Sequence, residues 1–243
     1  MFQFTFGDVG NGKSIDQADT VLWLLERSVR IQKKYKLPLR PVWCNFHMAQ
    51  WVYNKYPDRL FYWHNPFEMI AKSFNPDTTI KDLRICFDCV WDEMSVELPA
   101  DGWQSLPKEI RAFFAQHRKR GIQIYGCTQD YLMVDKNARR HATRVFEIHK
   151  IFGSSDPDPT FPAIKHPWGV IAKWPLDRQL IRADDQNRVR TALIPRITYI
   201  TKKLCECYDT SEDIRPANYE TKHVEFPACK SCGFKPRNKH TVF

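Results

Sequence analysis

A chain of 243 residues, of which 43% are hydrophobic and 14% aromatic, can bury a full core, and this excludes a disordered or fibrous protein. The formal net charge of +9 suits a polyanionic partner such as nucleic acid or an anionic membrane surface, although a basic surface also serves solubility alone. No apolar run approaches the roughly 20 residues that span a bilayer. The first strand begins at the amino terminus, so we expect no signal peptide.

The predicted elements alternate between strand and helix along the amino-terminal part of the chain. Strands are predicted over 2–6, 41–46, 60–64, 84–91 and 122–127, and helices over 13–35, 66–73, 105–120 and 130–141. This alternation predicts an α/β fold with a mostly parallel sheet flanked by helices. Three more strands are predicted near 145–152, 168–174 and 179–182, and a loop at 156–159 separates the first two of them.

The chain divides into three predicted parts. Residues 1–155 form the core, 156–200 form a small carboxy-terminal β extension of it, and 201–243 form a basic, cysteine-containing tail. The strand and helix patterns weaken beyond about residue 195 and give way to the charged tail. The sequence contains no internal repeat and no low-complexity segment.

A phosphate-binding loop is predicted directly after the first strand. Its residues fit the pattern G-x-x-x-x-G-K-[ST]: Gly7, Asp8, Val9, Gly10, Asn11, Gly12, Lys13 and Ser14. The glycines let backbone N–H groups turn inward around a phosphate, Lys13 supplies charge to the β- and γ-phosphates, and the Ser14 hydroxyl is a magnesium ligand in such loops. Because a strand precedes the loop and a helix pattern follows it, this segment predicts a site for ATP and Mg²⁺.

Two adjacent carboxylates, Asp92 and Glu93, follow the apolar strand predicted near 84–91. We expect Asp92 to hold Mg²⁺ through its water shell and Glu93 to polarise the attacking water as a general base. Asp88 is a rival, because the apolar run that precedes it also ends in an acid. Asp92 and Glu93 are preferred over Asp88 because two adjacent carboxylates supply both a magnesium ligand and a general base.

The strand predicted over 122–127 ends in Thr128 and Gln129. We expect Gln129 to reach the γ-phosphate or to orient the water, as a sensor residue does; an amide that caps a turn is the alternative. Arginines lie on both sides of this strand. One of them is a candidate arginine finger that acts in trans within a ring, although each also suits a surface or a DNA contact: Arg118, Arg120, Arg139, Arg140 and Arg144.

The order of these motifs resembles the Zot (zonular occludens toxin-like) domain of filamentous bacteriophages and related single-stranded DNA viruses. The resemblance covers residues 1–150 and rests on the phosphate loop and on the segments 91–95, 113–118 and 124–129. It implies an ATPase of the additional-strand, FtsK/HerA-like class that drives assembly and export of the virion with its DNA. By the resemblance, Lys13 and Ser14 bind phosphate and magnesium, and Asp92 and Glu93 form the Walker B motif. Gln129 is then the sensor residue, and Arg118 occupies a basic position of the family.

The resemblance implies viral DNA, single-stranded or double-stranded, and virion or membrane assembly proteins as partners of a homo-oligomer such as a hexameric ring. Filamentous-phage members usually carry a membrane span after the ATPase domain, and this sequence shows none. We therefore expect a motor in the host cytoplasm that fills a preformed capsid or docks on a membrane partner. Two other classes stay open: another P-loop enzyme, such as a helicase or a nucleotide kinase, and a nucleotide-gated scaffold that binds ATP without turnover.

The eight cysteines form two groups. Cys44, Cys86, Cys89 and Cys127 lie in apolar segments and are predicted to be small buried side chains in a reducing cytoplasm. The tail contains the other four, and two of them have the spacing of a zinc knuckle. Four thiolates predict a closed zinc site, with His223 as a substitute ligand and four unrelated cysteines as the alternative: Cys205, Cys207, Cys229 and Cys232. A basic end at 235–240 is expected to touch DNA phosphates.

Overall fold

The computed structural model describes residues 1–37, 39–63, 87–154, 168–177, 190–192, 194–208, 222–224 and 240–242. Within these residues the main sheet has eight strands: β1 (Phe2–Phe6), β2 (Val42–Cys44), β3 (Leu60–Tyr62), β4 (Asp88–Trp91), β5 (Gln123–Thr128), β6 (Arg144–Ser154), β7 (Trp168–Leu176) and β8 (Arg196–Ile200). A separate antiparallel pair consists of β9 (Lys222–Val224) and β10 (His240–Val242). The helices are α1 (Lys13–Tyr35), α2 (Gln50–Lys55), α3 (Met94–Glu97), α4 (Lys108–Gln116), α5 (Lys136–His141) and α6 (Lys202–Cys205).

The strand order of the main sheet is β3-β2-β4-β5-β1-β6-β7-β8. The pairings from β3 through β6 are parallel, and β7 and β8 continue the sheet in antiparallel pairing. β5 is inserted between β1, which leads into the phosphate loop, and β4, which leads to Asp92. This insertion agrees with the additional strand that the resemblance implies. The carboxyl ends of β1, β4 and β5 therefore meet at one edge of the sheet.

Two apolar layers cover the two faces of the sheet. Phe2, Phe4 and Phe6 alternate along β1 and are at most 2% exposed, and they pack towards α4 and α5. On the opposite face, α1 buries one apolar stripe against β2, β4 and β5, with Leu24 and Leu25 in its centre. Burial of each such side chain stabilises the fold by roughly 1.5–3 kcal/mol. The two layers hold the parallel strands in register and so fix the edge at which the phosphate loop begins.

The structure confirms the predicted fold class, and most predicted elements appear with shifted ends. The predicted helix over 130–141 is wrong in part, because Asp135 ends the preceding segment and caps α5. The Asp135 carboxylate accepts hydrogen bonds from the backbone N–H groups of Asn137 and Ala138, while 131–133 form only a 3-10 turn. The helix predicted over 66–73, the loop at 156–159 and the strand over 179–182 lie outside the described residues.

The sequence prediction missed several short elements among the described residues, namely β8, β9, β10, α2, α3 and α6. β8 occupies 196–200, at the end of the predicted β extension but beyond the point where the strand pattern weakens in the sequence. Its exposed positions carry the apolar Ile197 and Tyr199, while the polar Thr198 is buried. This arrangement hides the polar-apolar alternation that identifies a strand. α2 has six residues, which is too short for a helical period to show.

The segment after β8 folds back onto the core. Leu204, Cys207 and Tyr208 are buried against the α1 layer. The backbone N–H of Ala49 donates to the Cys207 carbonyl at 2.7 Å, and the Trp51 indole N–H donates to the Glu206 carbonyl at 3.1 Å. Residues 201–208 are thus packed and hydrogen-bonded to the β2–α2 region.

A buried ion pair joins β7 to the first turn of α1. The Lys173 ammonium donates to the Asp16 carboxylate, and the two residues are 2% and 1% exposed. The Lys173 ammonium also lies 5.5 Å from the ring centre of Phe146. The pair fixes the antiparallel strands against the helix that follows the phosphate loop.

His117, at the end of α4, is buried as a neutral ring. Its Nδ1–H donates to the Phe114 carbonyl at 2.8 Å, and its Nε2 has no hydrogen-bond partner among the described residues. Burial lowers the pKa of His117 to about 4. Since the unfolded chain protonates this ring near pH 6.5, its contribution to stability is complete above that pH and is lost as the pH falls towards 4.

We therefore expect the free energy of unfolding to contain a His117 contribution of about 2 kcal/mol that is lost between pH 7 and pH 5. Urea unfolding at both pH values should show that His117→Gln is less sensitive to acid than the wild-type chain. His149→Gln, at a half-exposed ring, should behave like the wild type. Equal acid sensitivity in all three proteins would contradict the assignment.

Candidate active site

The loop from Gly7 to Gly12 is shaped by backbone requirements that only glycine meets. Gly10 and Gly12 have φ values of 80° and 81°, in the left-handed region that other residues rarely adopt. A Cβ atom on Gly7 would lie 2.5 Å from the Ile148 carbonyl oxygen of β6. The Asn11 amide donates to the same carbonyl at 3.3 Å. The loop is therefore seated on β6 and leads directly into α1.

Lys13 lies at the start of α1 and folds back over this loop. It is 7% exposed, and its ammonium donates to the carbonyls of Gly7 at 2.8 Å and Asp8 at 3.0 Å. Ser14 follows it in the first helical turn and is half-buried. One cation and one hydroxyl are thus placed where the positive end of the α1 dipole meets the loop.

Asp92 follows β4 and is 0% exposed. Its Oδ1 accepts hydrogen bonds from the Cys127 thiol at 2.6 Å and from the Glu93 backbone N–H at 3.1 Å. Its Oδ2 has no hydrogen-bond partner within the described part of the chain. A buried carboxylate oxygen without a donor fits a cation or its water shell, so the residues present suit Mg²⁺.

Glu93 turns the chain sharply after Asp92. It adopts φ 46° and ψ 50°, a left-handed conformation that is strained for a residue with a side chain. Burial and the neighbouring Asp92 charge raise the pKa of the Glu93 carboxyl, and the Lys13 charge and a hydrogen bond with Gln129 oppose that rise. These interactions bring together the three side chains to which sequence analysis gave cation, base and sensor roles.

Gln129 follows β5 and is exposed. Its main-chain carbonyl accepts a hydrogen bond from the Gly7 backbone N–H at 3.2 Å, so the end of β5 and the start of the phosphate loop are joined directly. The neighbouring Thr128 hydroxyl donates to the Ser95 hydroxyl at 2.9 Å. The side chains that follow β4 and β5 therefore share the edge at which the loop begins.

Asn45 is a residue of this edge that sequence analysis missed. It follows β2 and is 4% exposed. Its amide donates to the Asp92 carbonyl at 2.8 Å and accepts from the Asp92 backbone N–H at 2.7 Å. A polar residue directly after a buried strand is the same pattern that pointed to Asp92, and it would have pointed to Asn45 as well.

Asp88, the rival to Asp92, lies at the opposite, amino end of β4. Arg40 binds its carboxylate, with nitrogen–oxygen distances from 2.7 to 3.1 Å, and also donates to the carbonyls of Phe87 and Gly121. This pairing connects β4 to the segments before β2 and β5. The structure therefore gives Asp88 partners far from the phosphate loop.

The structure does not bring Arg118 to the phosphate loop of its own chain. Arg118 is exposed in the turn before β5, and burial together with its charge lowers the pKa of the Met1 amino group at the start of β1. Both lie at the amino edge of the parallel strands, opposite Lys13. Arg118 therefore takes no part in the arrangement around the phosphate loop of its own chain. Arg139 is engaged within its own chain, since its Nε donates to the Val134 carbonyl at 2.8 Å.

The cysteines of the core are buried as predicted: Cys44, Cys89 and Cys127. In the tail, the Cys207 thiol donates to the Lys203 carbonyl at 2.8 Å, and burial raises its pKa to about 11. Cys86, Cys229 and Cys232 lie outside the described residues, so the zinc site stays a prediction. Among the residues that the structure describes, no three His, Cys, Asp or Glu side chains are grouped to hold a metal ion.

None of the described helices has the length and apolar character that crossing a membrane requires. No model of a known protein family matches the sequence, and no curated protein matches it.

Solved structures with a similar fold include the N-terminal domain of zonular occludens toxin from Neisseria meningitidis. It is 16% identical, the match covers 86% of this chain and 98% of that one, and the TM-score is 0.46. The DNA-packaging ATPase B204 from Sulfolobus turreted icosahedral virus is 13% identical over 60% of this chain and 74% of its own, with a TM-score of 0.40. The type VII secretion ATPase EccC from Thermomonospora curvata is 12% identical over 82% of this chain and 24% of its own, with a TM-score of 0.38.

The topology of the chain itself defines its fold. The glycine loop joins β1 to α1, the additional strand β5 lies next to β1, and the carboxylates follow β4 at the same edge. These features identify the fold of this chain as that of a P-loop NTPase.

Proposed function

We propose that this chain is an ATP-hydrolysing motor of the Zot and FtsK/HerA type, which couples hydrolysis to the packaging, translocation or export of viral DNA. The observation that carries the proposal is the placement of the Lys13 loop, Glu93 and Gln129 at the carboxyl ends of three adjacent parallel strands, where the Gly7 N–H bonds to the Gln129 main-chain carbonyl. A cation, a base of raised pKa and an amide are the groups that phosphoryl transfer to water requires.

The roles follow from the contacts of each side chain. Lys13 exchanges its bonds to the loop carbonyls for phosphate oxygens, because a charged donor prefers a charged acceptor. Glu93 takes a proton from the attacking water, and its raised pKa brings it closer to neutral pH, where a base transfers protons most effectively. Gln129, bonded to Glu93, orients that water. Ser14 and Asp92 would hold Mg²⁺, which when bound neutralises charge on the phosphates.

DNA as the cargo is supported by the net charge of +9 and by the motif order that resembles the Zot domain. A homo-oligomer is part of the proposal because the Zot-type motif order implies one, and in such a ring Arg118 would act on the phosphate loop of a neighbouring subunit. The host cytoplasm, with virion or membrane assembly proteins as partners, is the location that this activity implies.

ATP hydrolysis by the purified protein, with and without single-stranded and double-stranded DNA, tests the proposal. We expect DNA to stimulate hydrolysis and Lys13→Ala to lower the rate by about 10²–10³-fold, because a charge that stabilises the transition state is removed. Lys33→Ala, an exposed lysine on the same helix, is the matched control and should hydrolyse normally.

Three results would redirect the proposal. Nucleotide binding without hydrolysis under every condition would indicate a gated scaffold. Strand separation would indicate a helicase, and transfer of phosphate to a nucleotide would indicate a kinase. Normal hydrolysis in Lys13→Ala would contradict the assigned phosphate site.

A further inference from the structure

We infer that Asn45 is a positioning residue that orients Asp92 for metal binding and, through the same main chain, the turn that carries Glu93. The inference rests on the proposed function and goes beyond it, because Asn45 touches neither the loop nor the carboxylates. It acts on the backbone that carries them. The two hydrogen bonds between the Asn45 amide and the Asp92 main chain, at 2.8 and 2.7 Å, are the basis of the inference.

A side-chain amide is suited to this contact because its planar end carries both a donor and an acceptor. Asn45 uses one group on the Asp92 carbonyl and the other on the Asp92 N–H. The peptide groups on both sides of the Asp92 Cα are thereby held by one side chain. Asn45 is 4% exposed, so water does not replace these bonds freely.

Asn45 holds the main chain of Asp92, and directly after Asp92 the chain turns into a strained conformation. Glu93, the next residue, has φ 46°. Strained backbone of this kind persists where the surrounding structure fixes it. With the Asp92 peptide groups held, the turn at Glu93 directs its carboxyl towards Lys13 and Gln129, with which it interacts.

Asp92 is held from both neighbouring strands. Asn45 comes from the end of β2, which pairs with β4 on one side, and Cys127 comes from β5, which pairs with it on the other. The Cys127 thiol donates to Oδ1, while Oδ2 has no hydrogen-bond partner among the described residues. The carboxylate therefore has one oxygen held by the protein and one directed to a cation. Loss of contacts that orient a ligand in this way lowers metal affinity about 10–100-fold.

The test uses Asn45→Ser, whose short hydroxyl cannot span both Asp92 main-chain groups, and Asn45→Leu, which has similar size and no polar group. The matched control is Arg40→Gln, which removes polar contacts at the other end of β4. Binding of Mn²⁺ in the presence of a non-hydrolysable ATP analogue is measured by electron paramagnetic resonance. Binding of the analogue without metal and the unfolding midpoint are measured beside it.

We expect both Asn45 variants to bind Mn²⁺ about tenfold or more weakly, with unchanged affinity for the analogue without metal. Arg40→Gln should lower the unfolding midpoint without changing Mn²⁺ affinity. Unchanged Mn²⁺ affinity in the Asn45 variants, or the same loss in Arg40→Gln, would overturn the inference. If the wild-type chain binds neither the analogue nor Mn²⁺, the proposed function itself fails, and the inference fails with it. Asn45→Ser carries the test if Asn45→Leu does not fold.

Discussion

Replacing Glu93 by glutamine is expected to lower the rate of ATP hydrolysis by about 10²–10⁴-fold while nucleotide binding is retained. The amide has nearly the size of the carboxyl group and can still bond to Gln129, but it cannot accept a proton from water. Single-turnover hydrolysis beside equilibrium binding of a fluorescent ATP analogue separates the two effects.

Glu97→Gln is the matched control for this prediction. Glu97 lies in α3, which begins directly after Glu93, and its carboxylate accepts a hydrogen bond from the Trp91 indole at 3.2 Å. Its replacement should leave turnover within a few-fold of wild type. Normal turnover in Glu93→Gln would assign the base to another group at the carboxyl edge, and Asp88 would not qualify because Arg40 holds it at the amino edge.

Replacing Lys173 by methionine is expected to reduce the free energy of unfolding by about 3–5 kcal/mol, because it leaves the Asp16 carboxylate buried without its cation. Asp16 is 1% exposed and cannot recover hydration without local opening of α1. Urea unfolding followed by tryptophan fluorescence measures the change. The total free energy of unfolding of a domain of this kind is about 5–15 kcal/mol, so the expected loss is a large fraction of it.

An exposed ion pair provides the control for Lys173. Lys202 and Glu206 lie 3.6 Å apart with side-chain exposures of 71% and 57%, so Lys202→Met should cost no more than about 1 kcal/mol. The double variant Asp16→Leu/Lys173→Met should regain most of the loss, because no charge is then buried alone. A loss below about 1 kcal/mol in Lys173→Met would show that Asp16 is hydrated or protonated in the folded chain.

The phosphate loop and α1 could be predicted from the sequence because their determinants are local. Gly10 and Gly12 are needed for left-handed backbone at their own positions. The apolar residues that α1 buries all lie within one continuous segment, and the predicted bounds of α1 match those observed. Strands β1 to β6 were predicted for a similar reason, since parallel strands buried on both faces appear as apolar runs.

The rest of the site depends on which strands become neighbours, and no local pattern specifies that. The Cys127 thiol meets Asp92 because β5 is inserted beside β4, and Asn45 meets Asp92 because β2 lies on the other side. Arg118 was a candidate arginine finger acting in trans, and the direction of β5 puts it at the edge away from the phosphate loop of its own chain. The positive φ of Glu93 likewise comes from its tertiary contacts, since no glycine marks it.

The packing of residues 201–208 determines where the basic tail can be removed. A chain that ends at residue 200 would lose Leu204, Cys207 and Tyr208 from the α1 layer and the hydrogen bonds that they bring to the β2–α2 region. Such a chain would expose core surface, and any loss of activity would report unfolding and not the loss of a tail. A truncation placed after Tyr208 keeps these contacts, and it is the version that tests the predicted DNA binding of the tail without removing them.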